Sequence, residues 1–217
     1  MSSLEEVWEQ REQQIYPKWF GPESRGIFTL TPRIFSQLGQ SEVDPRWLSI
    51  GVFEFAPTES RPTWIYVSSG ISNPWETDPK DYSTEGYSEI GTELVLETPG
   101  QADWAITVLQ RLIAFDLLIA WGIRGDVPAF DYGHRVPLNA AISLTEDSLL
   151  RNVFAWKPDH YEASFVVPSG RVDFIHFAGI SDDELAYAKK QGSDRLAELL
   201  IEHGAFPLTD PKRSSLL

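Results

Sequence analysis

A long helix that is apolar on nearly every side is the feature that most constrains the fold of this chain. The segment from Gln101 to Trp121 carries large apolar side chains all round its circumference: Ile106, Leu109, Ile113, Phe115, Leu118 and Ile119. Such a helix has no solvent-facing stripe, so it is predicted to be central and buried. Thr98, Pro99 and Gln101 have the spacing of a capping residue, a first-turn proline and a third helical residue, and predict where the helix begins.

Polar residues within this helix and the overall composition predict a globular protein. Gln110, Arg111 and Asp116 fall within the apolar span and argue against a membrane-crossing helix. The chain has 217 residues, 42% of them apolar, which is enough for a substantial core. It contains no Cys, and its acidic N-terminus lacks the pattern of a signal peptide. We therefore expect a cytoplasmic protein without disulfides.

Runs with β-strand character lie on both sides of the long helix. Strands are predicted at residues 27–31, 49–55, 64–68, 93–96, 151–156, 164–167 and 171–177. This order predicts an α+β fold, in which a mixed but largely antiparallel sheet is flanked by helices. We expect a single domain over residues 1–217, in which residues 1–62 supply the first helix and strands.

Capping signals and turn formers divide the rest of the chain. Ser3 with Glu6 has capping-box spacing, and the helix that it starts is expected to end at Tyr16-Pro17. A second capping box, Ser181 with Glu184, starts the helices of the C-terminal region. The segment from Gly122 to Asp147 has no clear periodicity and is predicted to be a loop.

A turn-rich insert separates the strands predicted at residues 64–68 and 93–96. Its glycines and Asn-Pro and Asp-Pro pairs rule out a continuous helix or strand, so it should be a structured surface loop. Large aromatic residues stand there among acids that have few basic neighbours. We predict a partner-binding surface formed by Trp75, Asp78, Asp81, Tyr82, Glu85, Tyr87 and Glu89.

The charge of the chain points to the same region. The formal net charge is −14, which disfavours nucleic acid and anionic membranes as partners. Residues 71–110 hold eight acids against Lys80 alone, a net of −7. Such an acidic face has two interpretations: it keeps the protein soluble, or it steers a basic partner to its site.

Catalytic and metal-binding patterns are weak in this sequence. It has no HExxH, nucleophile elbow, P-loop or dinucleotide fingerprint, and its acidic insert does not match the spacing of a calcium hand. His176 is expected in the core or on the sheet surface, His203 at a helix end and His160 in an exposed loop. His134 with Asp131 is the best enzymatic candidate and leaves a hydrolase as an alternative. We predict a non-enzymatic protein without a metal or a cofactor.

Several short motifs occur in a characteristic order. The segment from Trp64 to Asn73, WIYVSSGISN, precedes Glu85-Gly86 and then Gly91-Thr92-Glu93-Leu94. Further along the chain follow Gly133-His134, Pro168-Ser169-Gly170-Arg171-Val172, Phe174, Glu184-Leu185, Leu199-Leu200 and Leu208-Thr209-Asp210. This ordered set, over residues 63–210, resembles the Suppressor of fused family.

The resemblance implies a non-enzymatic, protein-binding domain of mixed α/β type. In animals the family protein sequesters Gli transcription factors by clamping a short peptide, which adds a β-strand between two lobes. Glu85 stands at the position of a peptide-contacting aspartate, and Trp75 stands near that of a contacting tyrosine. One such domain is expected here, so neither the two-lobed clamp nor Gli recognition is predicted.

Compact members of this family are typical of bacteria, where many are regarded as immunity proteins that neutralise toxins. The resemblance therefore implies a protein partner, either a basic toxin domain or an extended peptide. An acidic surface would speed the capture of a basic toxin. A regulatory scaffold that binds a cellular peptide by strand addition is the alternative, and the oligomeric state is left open.

Overall fold

The sheet is mixed and largely antiparallel, as the sequence predicts. The computed structural model describes residues 3–143 and 147–217, so residues 144–146 of the predicted loop lie outside the described part. The strands there are β1 Glu23–Thr29, β2 Gly51–Phe55, β3 Trp64–Ser69, β4 Tyr87–Thr98, β5 Arg135–Pro137, β6 Leu150–Trp156, β7 Ser164–Val167 and β8 Gly170–Ser181. Their order is β1-β2-β3-β4-β8-β6-β5, and β7 also pairs with β8. Only the β4–β8 pair is parallel among these strands.

Helices cover both faces of this sheet. The helical segments of the described residues are α1 Leu4–Trp8, a π-helical segment Glu9–Ile15, α2 Tyr16–Phe20, α3 Pro32–Gln37, α4 Asp103–Ala120, α5 Asp182–Gln191 and α6 Ser193–Glu202, with short 3-10 turns at Pro45–Ser49 and Pro79–Asp81. The capping boxes predicted at Ser3 and Ser181 are both present. β5 was not predicted, because three residues that include Pro137 show no alternating pattern.

The N-terminal helical region is longer than the sequence suggests. The prediction that Tyr16-Pro17 ends it is wrong, because helical structure continues to Phe20 and stops at Gly21, which has a φ of 85°. Pro17 lies in the first turn of α2. Pro17 has no N–H to donate to the preceding turn, and the hydrogen-bond pattern changes near it from the π-helical segment to α2.

The long helix α4 is buried as predicted, but it begins later. The helix cap predicted at Thr98 is wrong, because Thr98 extends β4, where it pairs with Trp64. Its hydroxyl donates to Gly100 O at 2.7 Å instead of capping the helix. Ala102 is the residue that precedes the helix, and its N–H donates to Tyr66 Oη at 2.6 Å. A tertiary contact therefore replaces the local cap.

Alternating residues of β4 face two different cores. Leu94 and Leu96 lie in the cluster that α4 covers, whereas Val95 lies in the cluster formed with the N-terminal helices. The strand predicted at residues 93–96 is therefore present, and its side chains alternate between the two faces of the sheet. A third cluster packs α5 and α6 against β6 and the end of β8. The sheet is thus the middle layer of the molecule.

A fully buried arginine connects the N-terminal helices to the sheet. Arg11 Nη1 lies 3.6 Å from Glu93 Oε1, and neither side chain reaches solvent. Arg11 Nη1 also donates to Ser72 Oγ at 3.1 Å and to Asn73 Oδ1 at 3.0 Å. Glu93 Oε1 accepts from the backbone N–H groups of Gly70 and Ser72, at 3.0 and 3.1 Å. One ion pair therefore joins the π-helical segment, β4 and the residues after β3.

A buried carboxyl group holds the segment that follows α4. Asp116 Oδ1 accepts a hydrogen bond from the backbone N–H of Phe130 at 3.0 Å. Asp116 Oδ2 is buried without a hydrogen-bond partner in the described part of the chain. Burial raises the pKa of Asp116 to about 6, although the bond from Phe130 partly opposes this effect. The ionised carboxylate therefore costs folding free energy at neutral pH.

We expect the buried ion pair to show strong coupling. Replacing Arg11 by Met leaves Glu93 without its cation and should lower the free energy of unfolding by about 3–5 kcal/mol. The Arg11→Met/Glu93→Gln variant should lose much less than the sum of the single variants, because no buried charge is then left unpaired. Glu12, which also pairs with Arg11 at 3.2 Å, is partly exposed and remains solvated. Urea unfolding of all four proteins measures the coupling. Additive losses would show that the two charges do not stabilise each other.

Asp116→Asn should change how stability depends on pH. The pKa of Asp116 is higher in the folded than in the unfolded state, so its penalty of about 3 kcal/mol is present at pH 7 and disappears as the pH falls towards 4. The Asn side chain keeps an acceptor for Phe130 but does not titrate. Relative to this variant, the wild type should become more stable as the pH is lowered from 7 to 4.5.

Unfolding free energies at several pH values provide the measurement. Glu162→Gln, which removes an exposed acid, serves as the control. Parallel pH profiles for the wild type and Asp116→Asn would contradict the assignment.

Candidate functional site

The predicted insert is an ordered segment that is fixed to the sheet at its start. It runs from Gly70 to Gly86, because β4 begins earlier than expected, at Tyr87. Ser72 and Asn73 are buried in the Arg11–Glu93 network. Ser88 Oγ also donates to Ser72 O at 2.7 Å. The expected surface loop therefore has a rigid base, and Tyr87 and Glu89 lie on a strand, not in the loop.

The two aromatic residues of the loop itself are half-buried. The Trp75 ring lies edge-on to Trp8 with 6.3 Å between ring centroids, and the guanidinium carbon of Arg46 lies 6.0 Å from the Trp75 ring. Tyr82 packs at the margin of the core cluster beneath the N-terminal helices, and burial raises its pKa. Both side chains pack between the loop and the rest of the protein. Only part of their surface is therefore accessible to a partner.

The acids of the loop are exposed. Asp78 caps the 3-10 turn by accepting from Lys80 N at 3.1 Å, and it forms an ion pair with Lys80 at 3.2 Å. Asp81 and Glu85 are also exposed, and neither has an ion-pair partner among the described residues. The predicted acidic surface is therefore accessible to a partner.

Tyr87 and Glu89 are held by an irregular start of β4. The pairing of β4 with β8 shifts register between Tyr87 and Thr92, and Glu89 has a φ of 55°. Tyr87 is 59% exposed, and its hydroxyl lies 3.3 Å from Asp173 Oδ2. Gly91 has a φ of 73°, and a Cβ there would lie 2.6 Å from the Tyr87 ring. Only glycine allows the strand to hold Tyr87 in this position.

A shallow acidic depression lies beside this strand. Its volume is about 640 Å³, and its lining includes Glu76, Tyr87, Glu89 and Trp121. Arg46 forms ion pairs with Glu76 at 2.7 Å and with Asp44 at 2.6 Å. Sequence reasoning did not select Glu76 or Trp121, since their approach to β4 depends on the tertiary fold.

Glu89 is the least compensated acid of the depression. It is half-buried, and no ion pair to it occurs among the described residues. Burial raises the pKa of Glu89. A hydrogen bond from the Glu76 backbone opposes this effect, the Glu76 carboxylate adds to it, and Arg46 opposes it. A cation placed in the depression would therefore be attracted to both carboxylates.

The seven predicted residues differ in their exposure. Tyr87 and Glu89 line the depression, and Asp78, Asp81 and Glu85 lie on the exposed loop next to it. Trp75 and Tyr82 are half-buried supports. The role of the set in partner binding stays a prediction, and the geometry makes the exposed acids with Tyr87 and Glu89 its most accessible members.

The His134–Asp131 pair does not have the geometry of a catalytic dyad. His134 Nδ1 accepts from the backbone N–H of Asp131 at 3.2 Å. The Asp131 carboxylate accepts from Tyr132 N at 2.7 Å, and no hydrogen bond joins it to the imidazole in the described part of the chain. In a catalytic dyad the carboxylate would accept a hydrogen bond from the imidazole. Here His134 Nδ1 and the Asp131 carboxylate each accept from a backbone N–H instead. The alternative of a hydrolase gains no support from this site.

The other histidines lie where the sequence places them. His176 is fully buried, and burial lowers its pKa to about 3. His203 Nδ1 lies 3.0 Å from Leu199 O at the end of α6, and His160 is exposed. Within residues 3–143 and 147–217, no group of three or more His, Cys, Asp or Glu residues is arranged to hold a metal ion. None of the helices described there has the length and apolarity to span a membrane.

Comparisons with known proteins agree on one family. The family model described as Suppressor of fused protein (SUFU) matches residues 46–214. No curated protein matches the chain. Among solved structures, a homologue from Neisseria gonorrhoeae described as a possible SUFU protein has 18% identity and a TM-score of 0.66, with 97% of each chain covered.

Two further structures carry the same fold. A chain of the Sufu–Fu complex has 18% identity and a TM-score of 0.66, and the match covers 98% of this chain and 91% of the other. Drosophila Suppressor of Fused has 18% identity and a TM-score of 0.57, and the match covers 77% of this chain and 42% of that protein. At this identity, the likeness to these structures concerns the fold.

Proposed function

The chain belongs to the Suppressor of fused family, and we propose that it is an immunity-type protein that masks a basic partner, such as a toxin domain, without catalysing a reaction. Membership of this family supports the general function of a protein-binding regulatory domain. One of the similar structures is that of a complex with a protein partner. The immunity role goes beyond this family-level function and rests on the acidic surface.

The observation that carries the proposal is the acidic depression beside β4, in which Glu89 has no ion-pair partner among the described residues. Glu76 and Glu89 line it together, while Asp81 and Glu85 extend the negative surface to solvent. A Lys or Arg side chain in the depression would give Glu89 the cation that it lacks. Charge-assisted hydrogen bonds of this kind are stronger than neutral ones.

Exposed Tyr87 gives the same surface an aromatic contact. Its ring is open to solvent, and the guanidinium carbon of Arg171 lies 5.9 Å from the ring centroid. Tyrosines are enriched at protein interfaces because they combine apolar area with a polar group. The net charge of −14 would add long-range attraction for a basic protein and raise its association rate.

Masking requires a surface that keeps its shape. The base of the loop is fixed by the Arg11–Glu93 network, and Trp75 and Tyr82 support it from the core. A partner would therefore meet a surface that is already ordered, which lowers the entropy cost of binding. This favours binding of a folded basic domain through complementary charge and shape.

Reversal of the exposed acids should weaken capture of the partner. The wild type, used as bait in a lysate of the native host, should retain a basic protein at low salt. Asp81→Lys/Glu85→Lys should weaken the purified complex at least about tenfold, because attraction becomes repulsion. Glu162→Lys/Glu202→Lys changes the net charge equally at exposed sites elsewhere and should bind like the wild type.

Co-expression separates immunity from simple binding. The captured partner should slow growth when produced alone, and the wild type should restore growth, whereas Asp81→Lys/Glu85→Lys should not. A harmless partner would refute the immunity role but not binding. Equal affinity of both charge variants for the partner would refute the acidic surface as its site.

A further inference from the structure

A second, oppositely charged cavity lies on the other side of the segment that follows α4. It is a groove of about 600 Å³ between α4, β5 and that segment. Its apolar lining includes Leu112, Phe115, Ile119, Phe130, Val136 and Leu138. The size and apolar lining are those of a ligand-binding groove. None of the seven residues predicted for partner binding lines it.

The ionisable residues of the groove are all basic. Arg111 comes from α4, and His134 and Arg135 come from the opposite wall at β5. No carboxylate lines the groove within the described residues. The chain has 32 acidic and 18 basic residues, so a cavity edged by two arginines and no acid differs from the rest of the surface.

Neither arginine of the groove is neutralised by the protein. Six other arginines of the described part form ion pairs with carboxylates: Arg11, Arg25, Arg46, Arg171, Arg195 and Arg213. Arg33, Arg61, Arg124 and Arg151 have no ion pair there, but none of them lines the groove. Arg111 has no hydrogen-bond or ion-pair partner among the described residues. Arg135 Nη1 donates to Ala188 O at 3.3 Å but has no ion-pair partner there. Both guanidinium groups therefore keep donors for an external anion.

The surroundings of the groove suit a peptide. β5 is the last strand of the sheet, so one of its sides has no neighbouring strand within the described residues. Val127 and Ile123 are each 44% exposed, and Val127 lines the groove, so apolar surface continues beyond it. An exposed apolar surface with a charged edge is typical of a protein-interaction site.

We propose that this groove binds a segment of a partner protein that carries apolar side chains and at least one carboxylate. The carboxylate pairs with Arg111 and Arg135, whose planar guanidinium groups can bind it in bidentate geometry. The apolar side chains of the segment cover Phe115, Phe130 and Val136, which removes apolar area from water. The acidic depression attracts cations, so the two sites bind different segments.

A phage library of random dodecapeptides tests this proposal with the full-length chain as bait. Selected peptides should be enriched in Asp or Glu next to large apolar residues. Their affinity, measured by fluorescence anisotropy, should fall at least about tenfold with Arg111→Glu/Arg135→Glu. Lys18→Glu/Arg33→Glu makes the same charge change at exposed sites outside the groove lining and should bind like the wild type.

Two further variants make the result specific. Arg111→Gln keeps a polar side chain but removes the positive charge, and it should weaken peptide binding. It tests the role of the charge if the double reversal proves unstable to heating. Asp81→Lys/Glu85→Lys should leave peptide affinity unchanged, so failure of this proposal is distinguishable from failure of the acidic surface.

Three outcomes would overturn the proposal. The selected peptides could lack acidic residues, or they could bind Arg111→Gln and Arg111→Glu/Arg135→Glu as tightly as the wild type. In the third outcome the library yields no binder, and a displacement experiment with the fluorescent anion anilinonaphthalene sulfonate gives a positive result. Decanoate then displaces this anion from the wild type but not from Arg111→Glu/Arg135→Glu. That result would assign the groove to a small apolar anion instead of a peptide.

Discussion

The buried pair of Arg11 and Glu93 is the interaction on which the rest of the structure depends. Removing two charges from water is costly, and attraction between them offsets the cost only if hydrogen bonds complete the site. Here the backbone N–H groups of Gly70 and Ser72 and the side chain of Asn73 provide them. The pair fixes the N-terminal helices, β4 and the base of the acidic loop at one point.

Local patterns predicted most elements, because their side chains repeat with the period of a helix or a strand. Leu94 and Leu96 against Val95, and the apolar helix α4, are such cases. The errors arose where a distant contact replaces a local signal: Thr98 belongs to a strand paired with Trp64. Arg11 was not selected, since nothing near it in sequence indicates a buried partner.

The candidate site was predictable only in part for the same reason. Composition identified the acidic segment, and the described structure exposes Asp81 and Glu85 there. Composition could not show that Trp75 contacts Trp8, or that Glu89 approaches Glu76 beside Trp121. The segment that Asp116 anchors separates this acidic site from the basic groove, because Ala129 lines one and Phe130 lines the other.

The π-helical segment from Glu9 to Ile15 sets the rotational phase of the N-terminal helices. Val7, Arg11, Tyr16 and Phe20 are all buried, and their spacings are four, five and four residues. In a regular α-helix, Tyr16 would be rotated about 140° from Arg11, since each residue turns about 100°. The wider π turn brings both to the same side. One extra residue thus lets a single helical arm present an arginine to the polar network and a tyrosine to the aromatic core.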